Sequence, residues 1–264
     1  ERPETLQPGV ELGQRTPVES VDAVLTRDPR RHQPRLAQDE IRSSRHVSNE
    51  VKNLMDARKQ AGIKGALVLA AGFSRRFDGG KLTAVLGNGS TVLQQTLQRL
   101  SAAATHIVIV TRPELVDDGI FDTGVCHAAA RSAGDNDESS MRIVLCEDSH
   151  RGMGHTLAFG AAQIEGWDSC LVCLGDMPFI RTATYQQLLA ATQPDTIVLP
   201  EYEGRTGNPV GFGSRFFAEL REAEGDTGGR AIIRTHPEAI ERVIVTDSAV
   251  LQDIDTPDDL QRFR

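Results

Sequence analysis

The sequence predicts a three-layer, doubly wound α/β domain with a mostly parallel sheet over residues 63–264, behind a polar arm at 1–62. Three observations carry this reading. Short continuous apolar runs recur along the chain, as strands buried on both faces require. Segments of helical period separate them, and strands that alternate with helices at this spacing pair in parallel through right-handed crossovers. The length, 264 residues, allows one large domain or two small ones, and suffices for a core.

Residues 1–35 are poor in apolar side chains and carry Pro3, Pro8, Pro17, Pro29 and Pro34, so they cannot bury much surface. Prolines stop between Asp39 and Gln60, where Ile41, Val47, Val51, Leu54 and Met55 give a loose helical period and predict one amphipathic helix. From residue 63 the texture changes. The apolar run from Gly65 to Ala71 reads as the first buried strand, and a glycine-rich turn follows it. Ser90 and Thr91 read as the N-cap of a helix over 92–100. Further strands are predicted at 106–111, 141–146, 170–174 and 196–200, and helices at 154–162 and 182–192. The polar stretch 131–140 reads as a surface loop.

Charge and composition exclude several classes of function. The chain has 29 Lys+Arg against 37 Asp+Glu, a net charge of −8, and only 5% aromatic residues. A nucleic-acid binder usually carries the opposite sign and rings for base stacking, so no nucleic-acid partner is expected. No apolar run approaches the roughly 20 residues that span a bilayer, and no signal-peptide pattern opens the sequence, so no membrane partner is expected. Cys126, Cys146, Cys170 and Cys173 are too few for a disulfide scaffold in a chain this long. Cys170 and Cys173 have the spacing of a redox or half-zinc pair. In a strand, however, residues i and i+3 face opposite sides and cannot close on one ion. Buried free thiols in a reducing compartment are expected, hence a cytoplasmic protein.

The turn after the first strand carries the chemistry. In open α/β sheets ligands bind beyond the carboxyl ends of the strands, near the topological switch. There the sequence places Gly72, Gly79 and Gly80 with three cations, Arg75, Arg76 and Lys81. Glycines let backbone N–H groups approach a phosphate chain, and the cations can neutralise it. Gly72 stands alone where a dinucleotide fingerprint needs three spaced glycines. A Walker A loop fails too, because Arg75 stands where its first glycine belongs and Leu82 follows Lys81 in place of Ser or Thr.

Other candidates lie further along. Asp176 follows the fourth strand, so its carboxylate projects from a strand's carboxyl end. Asp253 and Asp255 are two apart in an extended segment and point the same way, where they would repel unless a cation sat between them. Thr256 and Pro257 read as N-cap and first residue of a helix, with Asp258 and Asp259 in its first turn. The Gly152–Gly154 turn opens a helix, where backbone N–H groups can meet an anion or serve only as an ordinary cap. Two glycine-containing turns carry Arg205 and Asn208, and Asp226 and Arg230; as bare sequence they are turns.

Taken in register, these motifs resemble the MobA-like nucleotidyltransferases, and within them the molybdenum-cofactor cytidylyltransferases. Residues 69–81 match that family's L-A-A-G-x-S-x-R-x-G-x-x-K except that Asp78 stands where the family usually has Gly. Residues 175–178 read G-D-M-P, and 253–260 read D-I-D-T-P-D-D-L against the family's D-I-D-T-P-E-D-L. Residues 152–157 read G-M-G-H-T-L with Thr156 in place of Ser. Residues 204–210 match G-x-x-G-N-P-V, and 225–230 match G-D-x-G-A-R with Gly229 replacing the usual Ala. The match runs over about residues 64–264 and leaves 1–60 outside.

The resemblance implies a nucleotide-diphospho-sugar-transferase-like, Rossmann-type fold. It assigns nucleotide binding to Leu69, Ala70, Ala71, Gly72, Ser74, Arg75, Gly154 and Thr156. Arg76 and Lys81 would clamp the β,γ-phosphates, and Asp176 and Asp255 would hold Mg²⁺, with Arg76, Lys81 and Asp176 forming the catalytic set. Arg205, Asn208, Asp226 and Arg230 would receive an anionic acceptor such as a pterin phosphate. The implied reaction transfers CMP from CTP to molybdopterin carrying molybdenum, releasing pyrophosphate, with a molybdoenzyme as a receiving partner. The alternatives are a nucleotidyltransferase that uses GTP or another phosphorylated acceptor, and a non-catalytic cofactor carrier or chaperone whose arm docks the partner.

Overall fold

The computed structural model describes residues 62–73, 77, 80–121, 140–225 and 228–261. The arm and its predicted helix, Cys126, the stretch 131–139, and Ser74, Arg75, Arg76, Asp78 and Asp226 lie outside the described residues. Among the described residues, eight strands form one sheet: β1 (Ile63–Ala70), β2 (His106–Thr111), β3 (Ser140–Leu145), β4 (Trp167–Leu174), β5 (Ile197–Tyr202), β6 (Arg205–Thr206), β7 (Val210–Gly213) and β8 (Ile240–Ile244). The order is β3-β2-β1-β4-β7-β5, with β6 and β8 also paired to β5. The pairs β1–β2, β2–β3, β1–β4 and β5–β8 are parallel, whereas β7 runs antiparallel to both β4 and β5.

The apolar runs of β1, β2 and β4 are strands covered on both faces of the sheet, whereas edge strand β3, read as a buried run, is half exposed, with Ile143 and Leu145 turned to solvent. Along β1, Ala66, Val68 and Ala70 enter one core cluster while Leu67 enters the other. β2 alternates in the same way, with Ile107 and Ile109 on one side and Val108 and Val110 on the other. The first face is closed by helix α1 (Val92–Ser101), through Leu93, Leu97 and Leu100, and by α4 (Thr182–Ala191), through Tyr185 and Leu188. The second face is closed by α3 (Met153–Ala161), α5 (Phe217–Arg221) and α6 (Arg230–Thr235), through Leu157, Phe217, Leu220 and Ile232. Two further short helices are α2 (Pro113–Asp117) and α7 (Pro257–Gln261). Three layers result.

Cys170 and Cys173 behave as the strand period requires. Cys170 joins the second cluster and Cys173 the first, both buried and free. Burial pushes both thiols far above the ordinary cysteine range, so neither is a thiolate at neutral pH.

Local signals also hold. Thr91 caps α1: its hydroxyl accepts from the Gln94 N–H at 3.2 Å, and the Gln94 side chain accepts from the Thr91 N–H at 2.9 Å. Helix α4 has no side-chain cap of its own. Buried Asp247 serves instead, accepting from the Arg181 N–H at 2.8 Å and the Thr184 hydroxyl at 2.7 Å. At the other end of α4, the Lys64 ammonium from β1 donates to the Thr192 carbonyl at 2.7 Å.

The sequence reading missed β6, β7 and β8. β7 has four residues, two of them glycine, so it shows no strand period, and it brings the one antiparallel element between β4 and β5. β8 is half exposed, and its Ile-Glu-Arg-Val-Ile pattern carries too few apolar residues to read as a buried run.

The chain proceeds outward from β1 to β2 and β3, then returns to β4 on the other side of β1. The topological switch therefore lies between β1 and β4, where Leu69 stands level with both Val110 and Leu174. The crevice beyond these carboxyl ends is where such a sheet binds ligands.

Candidate active site

Three charged side chains converge on that crevice. After β4, the Gly175 N–H donates to the Leu69 carbonyl at 3.0 Å, and the Gly175 carbonyl accepts from the Thr96 hydroxyl at 3.1 Å. This clamp fixes the turn that presents Asp176. The carboxyl-terminal segment docks on the same turn, because the Ile254 N–H donates to the Asp176 carbonyl at 3.0 Å. Ile254 is fully buried, so the alternation of an extended segment turns Asp253 and Asp255 away from the core. Lys81 opens a short 3₁₀ turn (Lys81–Thr83), fastened by the Thr83 hydroxyl to the Gly80 carbonyl at 2.9 Å.

The Lys81 ammonium lies 2.5 Å from Asp176 Oδ2 and 2.8 Å from Asp255 Oδ1. Asp176 Oδ1 is buried and has no hydrogen-bond partner among the described residues. Burial pushes the Asp176 carboxyl above the usual carboxylate range, Lys81 draws it back only in part, and the charge of Asp253 adds to the rise. Burial opposes the Lys81 ammonium, but Asp176 and Asp255 outweigh it and hold its pKa above the ordinary lysine value. The Lys81 ammonium is thus wedged between the Asp176 and Asp255 carboxyl groups.

An unpartnered carboxylate oxygen in a buried position is costly unless a donor or a metal reaches it. Among the described residues no cluster of three or more His, Cys, Asp or Glu side chains is arranged to hold a metal. Two carboxylates and an orphaned oxygen instead fit Mg²⁺, which takes one or two protein carboxylates and completes its shell with water and phosphate.

The turn beyond β1 lies beside this group. Ala70 and Ala71 are buried, while Gly72 and Phe73 are exposed. Among the described residues, a Cβ added at Gly72 would meet nothing within 4 Å, so its backbone is open to the approach of a ligand. Arg112, which follows β2, holds this turn: its guanidinium donates to the Gly72 carbonyl at 3.4 Å and lies 4.8 Å over the Phe73 ring. Sequence reasoning missed Arg112; its position directly after a buried strand, at a carboxyl end, was the available signal. The charge of Asp253 bears directly on Asp176, and Asp255 reaches it through Lys81.

Gly154 and Thr156 are placed differently from a loop that faces ligand. The Gly154 N–H donates to the Gly225 carbonyl at 2.7 Å, and a Cβ there would come within 2.5 Å of the Glu224 carbonyl. Gly154 thus fastens the start of α3 to the turn before α6. Thr156 is buried, and its hydroxyl donates to the Gly152 carbonyl at 3.3 Å. Exposed Met153 extends beside Gly228 in the same junction.

The acceptor candidates lie on separate elements. Arg205 is exposed in β6 opposite Tyr202, and Arg230 is exposed at the start of α6. The Asn208 N–H donates to the Val250 carbonyl at 2.8 Å, which ties its turn to the segment leading into Asp253 and Asp255. After Pro257 the helix start is a capping pair: the Asp259 carboxylate accepts from the Thr256 N–H at 2.9 Å, and the Thr256 hydroxyl accepts from the Asp259 N–H at 3.3 Å.

With this geometry in place, residues 66–240 match the MobA-like NTP transferase domain. The chain belongs to the MobA-like NTP transferase family. It is 27% identical over 205 residues to the purine catabolism protein PucB of Bacillus subtilis (strain 168), covering 74% of this chain and 93% of that relative. It is 25% identical over 209 residues to the nicotine blue oxidoreductase of Paenarthrobacter nicotinovorans, covering 75% and 94%. A nucleotidyl transferase from Methanothermobacter thermautotroptrophicus (Mth528) shares the fold with a TM-score of 0.60 at 21% identity, covering 76% of this chain and 96% of its own. The chain is thus a MobA-like nucleotidyltransferase by family, with the fold of nucleotidyl transferases. Among the described residues no helix is long and apolar enough to cross a membrane.

Proposed function

We propose that this MobA-like protein transfers CMP from CTP to molybdopterin carrying molybdenum, with release of pyrophosphate. The observation that carries the reading is the Lys81–Asp176–Asp255 group at the switch between β1 and β4, beside the open backbone of Gly72. The acceptor's phosphate oxygen forms a bond to the α-phosphorus of CTP, and the bond from that phosphorus to the β-phosphate oxygen breaks. A phosphate monoester is already an oxyanion near neutral pH, so no general base or covalent enzyme nucleophile is needed. Alignment and charge neutralisation supply the catalysis.

Each residue has a task in this reading. Backbone from Leu69 to Gly72, with Ser74 and Arg75, holds the nucleotide, and Arg112 braces that turn. Arg76 and Lys81 neutralise the leaving pyrophosphate. Asp176 and Asp255 would hold Mg²⁺, which when bound neutralises phosphate charge and polarises the reacting oxygens. Gly154 and Thr156 shape the nucleotide pocket through the α3–α6 junction. Arg205, Asn208, Asp226 and Arg230 receive the anionic acceptor and its phosphate. A pure carrier has no use for a phosphate- and metal-competent group, which favours the enzyme over a cofactor chaperone; delivery to a molybdoenzyme can follow transfer. The buried free thiols suit a reducing compartment, and we place the activity in the cytoplasm.

The test is pyrophosphate release from CTP in the presence of Mg²⁺, with and without molybdopterin carrying molybdenum. Release that requires the acceptor and leaves a cytosine dinucleotide supports the reading. Release with GTP in place of CTP keeps the chemistry and overturns the nucleotide. Turnover with a different phosphorylated acceptor alone overturns the pterin.

A further inference from the structure

We propose that Lys81 and a divalent cation are mutually exclusive occupants of the Asp176–Asp255 pair, so free cation enters only by displacing the ammonium, and the site takes the cation far more readily as its complex with a nucleoside triphosphate. This rests on the reading of those two carboxylates as the metal pair, and not on the identity of the base or the acceptor.

The ammonium already sits where a cation between the carboxylates would sit, 2.5 Å from one oxygen and 2.8 Å from the other. It is also well shielded, with 14% of its side chain exposed. A dication sharing those two oxygens would stand within a few ångströms of the ammonium, and like charges at such separation in a half-buried site repel strongly. Asp176 Oδ1 is buried and without a hydrogen-bond partner among the described residues, and by itself it is a single ligand, too few for Mg²⁺.

A nucleoside triphosphate removes this block without leaving any charge bare. Its phosphate oxygens give Lys81 new acceptors, and its bound cation takes over the neutralisation of Asp176 and Asp255. Lys81 can travel because its ammonium ends a flexible four-carbon stem and its backbone stays pinned by the Gly80–Thr83 turn. The lysine thus guards the carboxylates against free metal and is exchanged, one cation for another, when the metal–nucleotide complex arrives.

The experiment is a Mn²⁺ titration without nucleotide, read by loss of the free-ion paramagnetic resonance signal, on the full chain and on Lys81→Met. The methionine keeps the stem and removes the charge. The expected result is Mn²⁺ binding at least about tenfold tighter in Lys81→Met than in the unmodified protein, as removal of a competing ion pair at a shielded site gives. Equal or weaker binding in the variant, including none in either protein, overturns the exchange.

A second measurement needs no variant. Lys81 in the unmodified protein is acylated with acetic anhydride and quantified by mass spectrometry, with Lys64, held by helix carbonyls, as the internal reference. Saturating Mn²⁺ should raise Lys81 labelling several-fold and leave Lys64 unchanged, and unchanged Lys81 labelling overturns the proposal. The parent reading fails separately: if Mn²⁺ also gains no affinity from added CTP, Asp176 and Asp255 are not the metal pair at all.

Discussion

Replacing Gly229 by alanine gives the residue usual in the family motif that this turn resembles, and here it should be destabilising. Gly229 has φ −71° and ψ −6°, which any residue adopts, so the backbone does not demand glycine. The neighbour does. A Cβ at this position would lie 2.9 Å from Phe212 Cζ and 3.3 Å from Cε2. Phe212 is 1% exposed in the middle of the second core cluster, between β4 and β5, and its ring cannot swing into solvent. Alanine for glycine gains about 0.4–1 kcal/mol through the unfolded chain. Overpacking a tight core costs about 1–3 kcal/mol. The expected outcome is a net loss of about 1–2 kcal/mol in urea unfolding at unchanged slope.

The same variant made in a Phe212→Leu background should lose that penalty, giving a coupling of about 1 kcal/mol or more between the two positions. Equal stability of Gly229→Ala and the unmodified protein would refute the packing explanation. So would the same penalty in both backgrounds.

Three other outcomes follow from the structure. Asp176→Asn should lower transfer by about a thousandfold or more, the scale of losing a preorganised electrostatic group. Because burial already works against that carboxylate, its melting temperature should not fall; a variant that retains near-normal turnover removes Asp176 from the site. Asp247→Ala should cost about 3 kcal/mol in urea unfolding, since it strips the cap of α4 and leaves the buried Thr184 hydroxyl without its acceptor. Burial raises the Asp247 carboxyl, but bonds from Arg181, Thr184 and Ala249 prevail and hold it below the usual range. Its stabilisation is therefore complete above about pH 3.9 and lost as pH falls through the lower folded value, a slope Asp247→Asn should flatten below pH ~4. The Glu219 carboxylate, 2.8 Å from His236 Nε2, raises the His236 pKa. That contribution is complete below about pH 6.5 and disappears as pH rises through the higher folded value. Unfolding midpoints of His236→Gln across pH 6–9 should lack the decline, and an identical decline in both proteins contradicts the assignment.

Much of the fold was legible because its central strands are buried on both faces. The β1 and β2 runs have no polar interruption to mimic a helix face, and their side chains divide between two clusters as the two-residue period demands. Lys81, Asp176 and Asp255 were legible as a group only through the resemblance of three motifs to one family, because contact across 174 residues of sequence leaves no local trace. What escaped was set by tertiary partners. The four residues of β7 are a strand because β4 and β5 flank them. Gly154 read either as a glycine for an incoming ligand or as an ordinary helix cap, and the Glu224–Gly225 backbone occupies its open side. Asp247 caps a helix that begins 65 residues earlier, and no cap residue stands at the helix itself. Arg112 has no motif, and its role comes from the turn after β1 coming to rest beside it.

The measurement that tests the central claim most directly is calorimetric binding of CTP, GTP and UTP, each with and without Mg²⁺. The expected result is tight binding of CTP alone and only with Mg²⁺, because the carboxylates and Lys81 can accommodate a triphosphate only when a dication replaces the ammonium. Binding of CTP that is indifferent to Mg²⁺, or binding of no nucleotide at all, would contradict a metal-assisted nucleotidyl transfer at Lys81, Asp176 and Asp255.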